Sequence, residues 1–220
     1  MVSLLDIIGP VMVGPSSSHT AGACRIGLLT RALCGGTPER ALIELHGSFA
    51  KTGEGHGTDR ALVGGLQGFQ PDDGRLRDAL ELAATTGMQV TFATTKLRDV
   101  HPNTARLTVE RDGQQVIVVG SSLGGGRIAV CEIDGLAVDL SGEYPTLVIV
   151  ALDQPGTLAA ITAELAADGV NVASVRVSRN RPGGVALHLY ELDGLPIPEV
   201  VALLAELPAV RTVRLLEQVS

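Results

Sequence analysis

Leu147-Val148-Ile149-Val150-Ala151-Leu152-Asp153-Gln154-Pro155-Gly156-Thr157-Leu158 passes from an unbroken apolar run into a turn and then into a helix start. Six apolar residues bounded by turn signals fit a buried strand. Pro155 and Gly156 end it, because proline lacks an N–H donor and glycine favours turn conformations. Downstream, the pattern predicts a helix over about 157–167, a strand over 170–178, a turn at Pro182-Gly183-Gly184 and a strand over 185–191. A helix over 197–207 and a strand over 212–216 finish the chain. That order, β-α-β-β-α-β, is the ferredoxin-like arrangement. Upstream, Ser141-Gly142-Glu143-Tyr144-Pro145 separates two apolar runs and marks a boundary. The expected domains are 1–142 and 147–220.

The first half reads α+β. An apolar stretch to Val13 precedes the polar loop Gly14-Pro15-Ser16-Ser17-Ser18-His19-Thr20. Ile26, Leu29 and Leu33 recur at helical spacing, so a helix is expected over about 21–33, closed by Gly35-Gly36. A strand over 41–46 leads to a glycine loop at Gly53–Gly57, then a helix from Thr58 and another over about 75–85. Strands follow over 89–94, 105–111, 115–121, 128–133 and 137–140. Asp112-Gly113 and Asp134-Gly135 are dipeptides of two-residue hairpins, which predicts antiparallel pairing.

Of the 220 residues, 45% are hydrophobic and 19% charged, so a substantial core can form and disorder is excluded. Lys and Arg number 17 against 24 Asp and Glu, a net charge of −7 with no basic cluster, which argues against nucleic-acid partners. Aromatics at 2% leave no stacking platform for single strands. No apolar run suits a membrane helix and no signal segment is evident, so a cytoplasmic protein is expected. Cys24, Cys34 and Cys131 are odd in number and widely spaced, which fits neither a disulfide framework nor a metal site in this chain. They read as buried small hydrophobes.

Four clusters carry the chemistry of the first half. Ser16, Ser17, Ser18, His19 and Thr20 place hydroxyls and an imidazole at a helix start, where free N–H groups and the helix dipole favour an anion such as a carboxylate. Lys51-Thr52-Gly53-Glu54-Gly55-His56-Gly57-Thr58-Asp59 sets His56 between glycines, which suits an imidazole at a close-approach site; its spacing is not a dinucleotide fingerprint. His101-Pro102-Asn103-Thr104 puts a histidine and an amide at a rigid turn. Ser121-Ser122-Leu123-Gly124-Gly125-Gly126 wraps a ligand or simply joins strands. Taken singly, the last two read as structural.

Asp153-x-Pro155-Gly156-x-Leu158, with Gly169-Val170-Asn171-Val172, resembles the ACT domain, a regulatory module that binds amino acids and pairs with its own kind. The resemblance implies Asp153, Gly156 and Asn171 as effector residues; an interface module without ligand stands as the alternative. His188 reads as a satisfied core or edge histidine.

The four clusters in this order, followed by the ACT pattern, resemble the β subunit of iron–sulfur L-serine dehydratases over nearly the whole chain. The N-terminal half is similar to the allosteric substrate-binding fold of some phosphoglycerate dehydrogenases, although no Rossmann fingerprint is present. Glu54 departs from the lysine common in the family. The resemblance implies conversion of L-serine to pyruvate and ammonia, with a 4Fe-4S cluster ligated by a separate α subunit. It implies His19 and His56 as catalytic residues, His19 as base or substrate orienter facing the cluster of the α subunit and His56, like His101, as a second candidate. It implies Ser16, Ser17, Ser18, Thr20, Lys51, Thr52, His101, Asn103 and Thr104 as substrate contacts. It further implies self-association through the ACT domain and a monovalent-cation effect. Two other readings are a purely regulatory subunit and a free-standing amino-acid sensor.

Overall fold

The computed structural model describes residues 11–219; the expected apolar start of the chain lies largely outside them. Contacts divide the chain between Gly135 and Leu136 into two units.

The first unit opens with a π-helical turn, Ser17–Gly22, which runs directly into α1 (Ala23–Cys34). β1 (Arg40–His46), α2 (Gly47–His56) and α3 (Thr58–Leu66) follow. A 3₁₀ turn (Gly74–Asp78) leads into α4 (Ala79–Thr85). The strands are β2 (Gln89–Thr95), β3 (Asn103–Arg111), β4 (Gln114–Gly124) and β5 (Arg127–Ile133), in sheet order β2-β1-β3-β4-β5. β1 pairs with β2 in parallel and with β3 antiparallel; β3/β4 and β4/β5 are antiparallel, as the Asp-Gly dipeptide at 112–113 predicts for the first of these. Asp112 and Gly113 both hold positive φ, 50° and 72°.

α1 and α3 cross where Gly65 lies against Cys24: a Cβ on Gly65 would stand 2.1 Å from the Cys24 carbonyl oxygen. Only a residue without a side chain permits that approach. The crossing brings Ile26, Leu29, Leu62 and Leu66 into one core with Ile43 and Leu107 of the sheet, all essentially inaccessible to water.

Two expectations for this unit need correction. Residues 47–56 form a helix rather than a glycine loop, because Phe49 is fully buried and Thr52 bonds the preceding turn, outweighing the poor helix propensity of Gly53 and Gly55. The polar loop 14–20 is helical from Ser17 onward.

The second unit contains β6 (Leu136–Leu140), β7 (Thr146–Leu152), α5 (Thr157–Ala167), β8 (Val172–Arg179), β9 (Val185–Leu192), α6 (Pro198–Glu206) and β10 (Val210–Leu216). Its four-stranded antiparallel sheet has the order β10-β7-β9-β8. α5 and α6 supply Ile161, Leu165 and Leu204 to a core with Leu147, Ile149, Tyr190 and Leu192. This is the expected ferredoxin-like arrangement, with β8 at an edge.

Candidate functional site

The first and second clusters meet. Ser16 caps the π-helical turn, its Oγ accepting from the His19 N–H at 3.2 Å, and this fixes the backbone that carries the imidazole. Both ring nitrogens of His19 then face hydroxyls. Nδ1 lies 3.1 Å from Ser18 Oγ and 3.4 Å from Ser16 Oγ; Nε2 lies 3.1 Å from Thr52 Oγ1 and 3.2 Å from Ser48 Oγ. Ser48 and Thr52 are one helical turn apart on α2, so forming that helix is what aims two hydroxyls at one nitrogen. Phe49 packs edge-on to the His19 ring, 5.3 Å between centroids. Burial holds the His19 pKa below the ordinary imidazole value, and the neighbouring His56 lowers it further.

His56 closes α2 beside it, with ring centroids 4.9 Å apart. His56 Nδ1 lies 2.9 Å from the Thr52 carbonyl oxygen. A carbonyl only accepts, so Nδ1 carries the proton, and in the neutral ring Nε2 keeps its lone pair. Thr20 Oγ1 donates to the His56 carbonyl at 3.3 Å, tying the two clusters together.

The third cluster acts from behind. Gly47 holds φ 57°, and a Cβ there would come within 2.4 Å of the Pro102 carbonyl oxygen. That oxygen accepts from the Ser48 N–H at 2.8 Å. His101 Nδ1 accepts from the Asn103 N–H, and Thr104 is buried against Ser121, Oγ1 to Oγ 2.6 Å. His101, Asn103 and Thr104 thus brace the start of α2. In the fourth cluster, Arg25 Nη1 donates to the Gly126 carbonyl at 2.6 Å and pins the glycine turn to α1. Ser17 begins the π-helical turn and Lys51 is exposed on α2; the Glu54 side chain lies outside the described residues.

A cavity of ≈ 280 Å³ opens beside His56, lined also by Pro15, Thr20, Arg60, Ala61 and Arg77. Ser48, Arg60 and Arg77 went unrecognised in the sequence. Ser48 carries a signal only once 47–56 is known to be helical, and the arginines carry none.

No three or more His, Cys, Asp or Glu among the described residues could hold a metal ion. Cys24 is buried, its thiol pKa pushed up to about 12 by desolvation, so it is a poor source of thiolate. The cysteines of this chain do not fit an iron–sulfur cluster.

In the second unit the three predicted effector residues have different partners. Asp153 Oδ2 accepts from Arg179 Nη1 at 2.9 Å and from the Gly183 N–H at 3.0 Å, which holds its carboxyl below the usual range. Asn171 Nδ2 donates to Asp193 Oδ2 at 2.6 Å. Gly156, at φ 89°, lines a cavity of ≈ 140 Å³ with Gln154, Pro155 and Leu207. His188 is buried in the core, Nδ1 3.2 Å from Tyr190 Oη, and its Nε2 makes no hydrogen bond. No helix among the described residues is long and apolar enough to cross a membrane.

Residues 3–86 match the family model described as serine dehydratase beta chain, and residues 146–209 match the ACT domain. A Bacillus subtilis (strain 168) protein named probable L-serine dehydratase, beta chain, is 42% identical over 206 residues, 94% of either chain. The L-serine dehydratase beta chain of Peptoniphilus asaccharolyticus is 39% identical over 193 residues, 87% of either chain. A D-3-phosphoglycerate dehydrogenase of Methanocaldococcus jannaschii is 31% identical over 111 residues, half of this chain and 21% of that protein.

Proposed function

This chain belongs to the family of L-serine dehydratase β chains, and on that premise we propose that it works with an α chain to convert L-serine to pyruvate and ammonia, His56 removing the Cα proton. Loss of that proton and of the β-hydroxyl gives 2-aminoacrylate, which tautomerises and hydrolyses to the products. The Cα–H is weakly acidic, so a base within reach is required.

The observation that carries this reading is the division of labour between two adjacent imidazoles. His56 Nδ1 is committed to the Thr52 carbonyl, which leaves Nε2 as the acceptor, and His56 is one of the residues that line the cavity. His19 has hydroxyls at both nitrogens and is kept neutral by burial. It is a positioning residue, holding α2 and hence His56, and its neutrality spares His56 a neighbouring cation when it takes the proton. Ser16 and Ser18 of the serine loop serve His19.

The family's 4Fe-4S cluster belongs to the α chain in this reading, since no thiol here suits it. Self-association through the ACT unit is supported by β8, an edge strand with Val175 and Val177 each 44% exposed. The test is anaerobic pyruvate formation from L-serine by this chain, by the α chain and by the two mixed. Activity only in the mixture is expected; full activity of the α chain alone would reduce this chain to a regulator.

A further inference from the structure

We propose that Arg60 and Arg77 receive the carboxylate of the amino-acid substrate in the cavity beside His56, and so make this chain a determinant of substrate specificity. The inference rests on the function proposed above.

The N-terminal segment, the π-helical turn, the end of α2, α3 and the 3₁₀ turn build the cavity. The Val13 N–H donates to the Pro71 carbonyl at 2.8 Å, closing the N-terminal segment over the loop that leads to the 3₁₀ turn. Gly14 lies so close to Thr20 that a Cβ would stand 2.3 Å from Thr20 Oγ1, which folds the segment back onto the π-helical turn. α3 brings Arg60 in its first turn, and the 3₁₀ turn brings Arg77. The volume, ≈ 280 Å³, falls just under the roughly 300–1,000 Å³ of sites for drug-sized ligands and suits a small metabolite.

The charge in the cavity is unbalanced. The ion pairs among the described residues engage Arg40, Arg75, Arg106, Arg111, Arg176 and Arg179, and neither Arg60 nor Arg77. Asp59, next to Arg60, buries Oδ1 without a hydrogen bond, so that oxygen does not serve the arginine. Guanidinium matches carboxylate geometry with two parallel N–H···O bonds. The remaining wall includes His56, Thr20 and Pro15 together with buried Ala61 and Leu76. An α-amino acid anchored there by its carboxylate would hold its Cα–H in the cavity that His56 lines. The serine hydroxyls of residues 16 and 18 are occupied by His19 and leave that anchoring role open.

The test uses the full chain free and the chain mixed with its α subunit, with Arg60→Gln, Arg77→Gln, the double variant and the corresponding Lys variants. On the free chain, L-serine is expected to shift the amide resonances of Gly55, Gly57 and Ala61, while L-serinamide, which lacks the carboxylate, leaves them in place. The double Gln variant should abolish the serine shifts and the Lys variants retain them in part. In the mixture, the Gln variants should raise KM for L-serine by about tenfold or more, the scale of a lost charged hydrogen bond. Equal responses to serine and serinamide, or serine shifts that survive in the double variant, overturn the assignment. An active mixture whose Gln variants keep the wild-type KM also overturns it, while leaving the proposed function intact. Serine shifts that depend on the arginines, together with a mixture that never makes pyruvate, would overturn the catalytic reading alone.

Discussion

His19 and His56 stand with ring centroids 4.9 Å apart and planes inclined by 37°, and their hydrogen bonds set them unequal tasks. His19 holds a hydroxyl at each nitrogen, whereas His56 spends one nitrogen on its own helix. A buried imidazole bonded on both sides fixes geometry; one with a nitrogen to spare can exchange a proton. The proximity also has a cost, because two imidazolium ions at this distance would repel.

Replacing His19 with Asn should separate the two tasks. The variant loses the bridge to Ser48 and Thr52 and loosens α2, so kcat in the mixed enzyme should drop by roughly tenfold to a hundredfold, as expected of misplaced catalytic groups. KM for L-serine should stay near the wild-type value, because His19 does not line the cavity. Steady-state kinetics checks the split; a rise in KM with kcat unchanged would contradict it.

Ser48→Ala and Thr52→Val each remove one of the two hydroxyls at His19 Nε2. Because the other remains, either single change should cost about 1 kcal/mol or less. The double variant leaves a buried nitrogen without a partner and should cost more than the sum of the singles, in the range of about 1–3 kcal/mol. Urea denaturation of the four proteins measures this coupling.

Gly47→Ala should be among the costlier small changes in this unit. The new methyl meets the Pro102 carbonyl, and φ 57° disfavours any side chain. A loss of about 1–3 kcal/mol is expected, with a further drop in activity as Ser48 loses its hold on the 101–103 turn. Equal stability of variant and parent would show that this contact is dispensable.

The pH dependence of stability has a definite sign. His19 and His188 both titrate below the ordinary imidazole value in the folded chain, His19 through burial and then His56, His188 through burial with Asp153 opposing. The unfolded chain therefore takes up protons first as the pH falls. Stability is complete above about 6.5, the unfolded value, and declines below it toward the depressed folded values. Denaturation between pH 5 and 7.5 should show that decline, and His188→Asn should flatten part of it. A stability that rises on acidification over this window would contradict the assignment.

Much of this architecture is legible in the sequence, and the gaps have physical causes. The strands announce themselves because Leu147–Leu152 and its partners are apolar and bounded by Pro, Gly and Asp, whose backbone preferences are local. The ferredoxin-like order follows directly. Helix α2 is not legible: Gly53 and Gly55 signal a loop, and the burial of Phe49 that overrides them is tertiary. Ser48 escapes notice for the same reason. The meeting of His19 with His56 is likewise a product of the fold, since residues 37 positions apart in sequence share a site only once α2 and the π-helical turn are placed side by side. The partners of Asp153 and Asn171 are equally hidden from sequence, because Arg179, Gly183 and Asp193 lie 22 to 30 positions away and meet them only through the fold.

Anaerobic turnover of L-serine by this chain mixed with its α subunit, comparing His56→Gln with the parent, tests the central claim most directly. If His56 Nε2 takes the Cα proton, kcat falls about a hundredfold or more while KM and association with the α chain are little changed, the magnitude typical of a lost general base. A variant that turns over L-serine within about twofold of the parent would contradict the account and move the base to another residue.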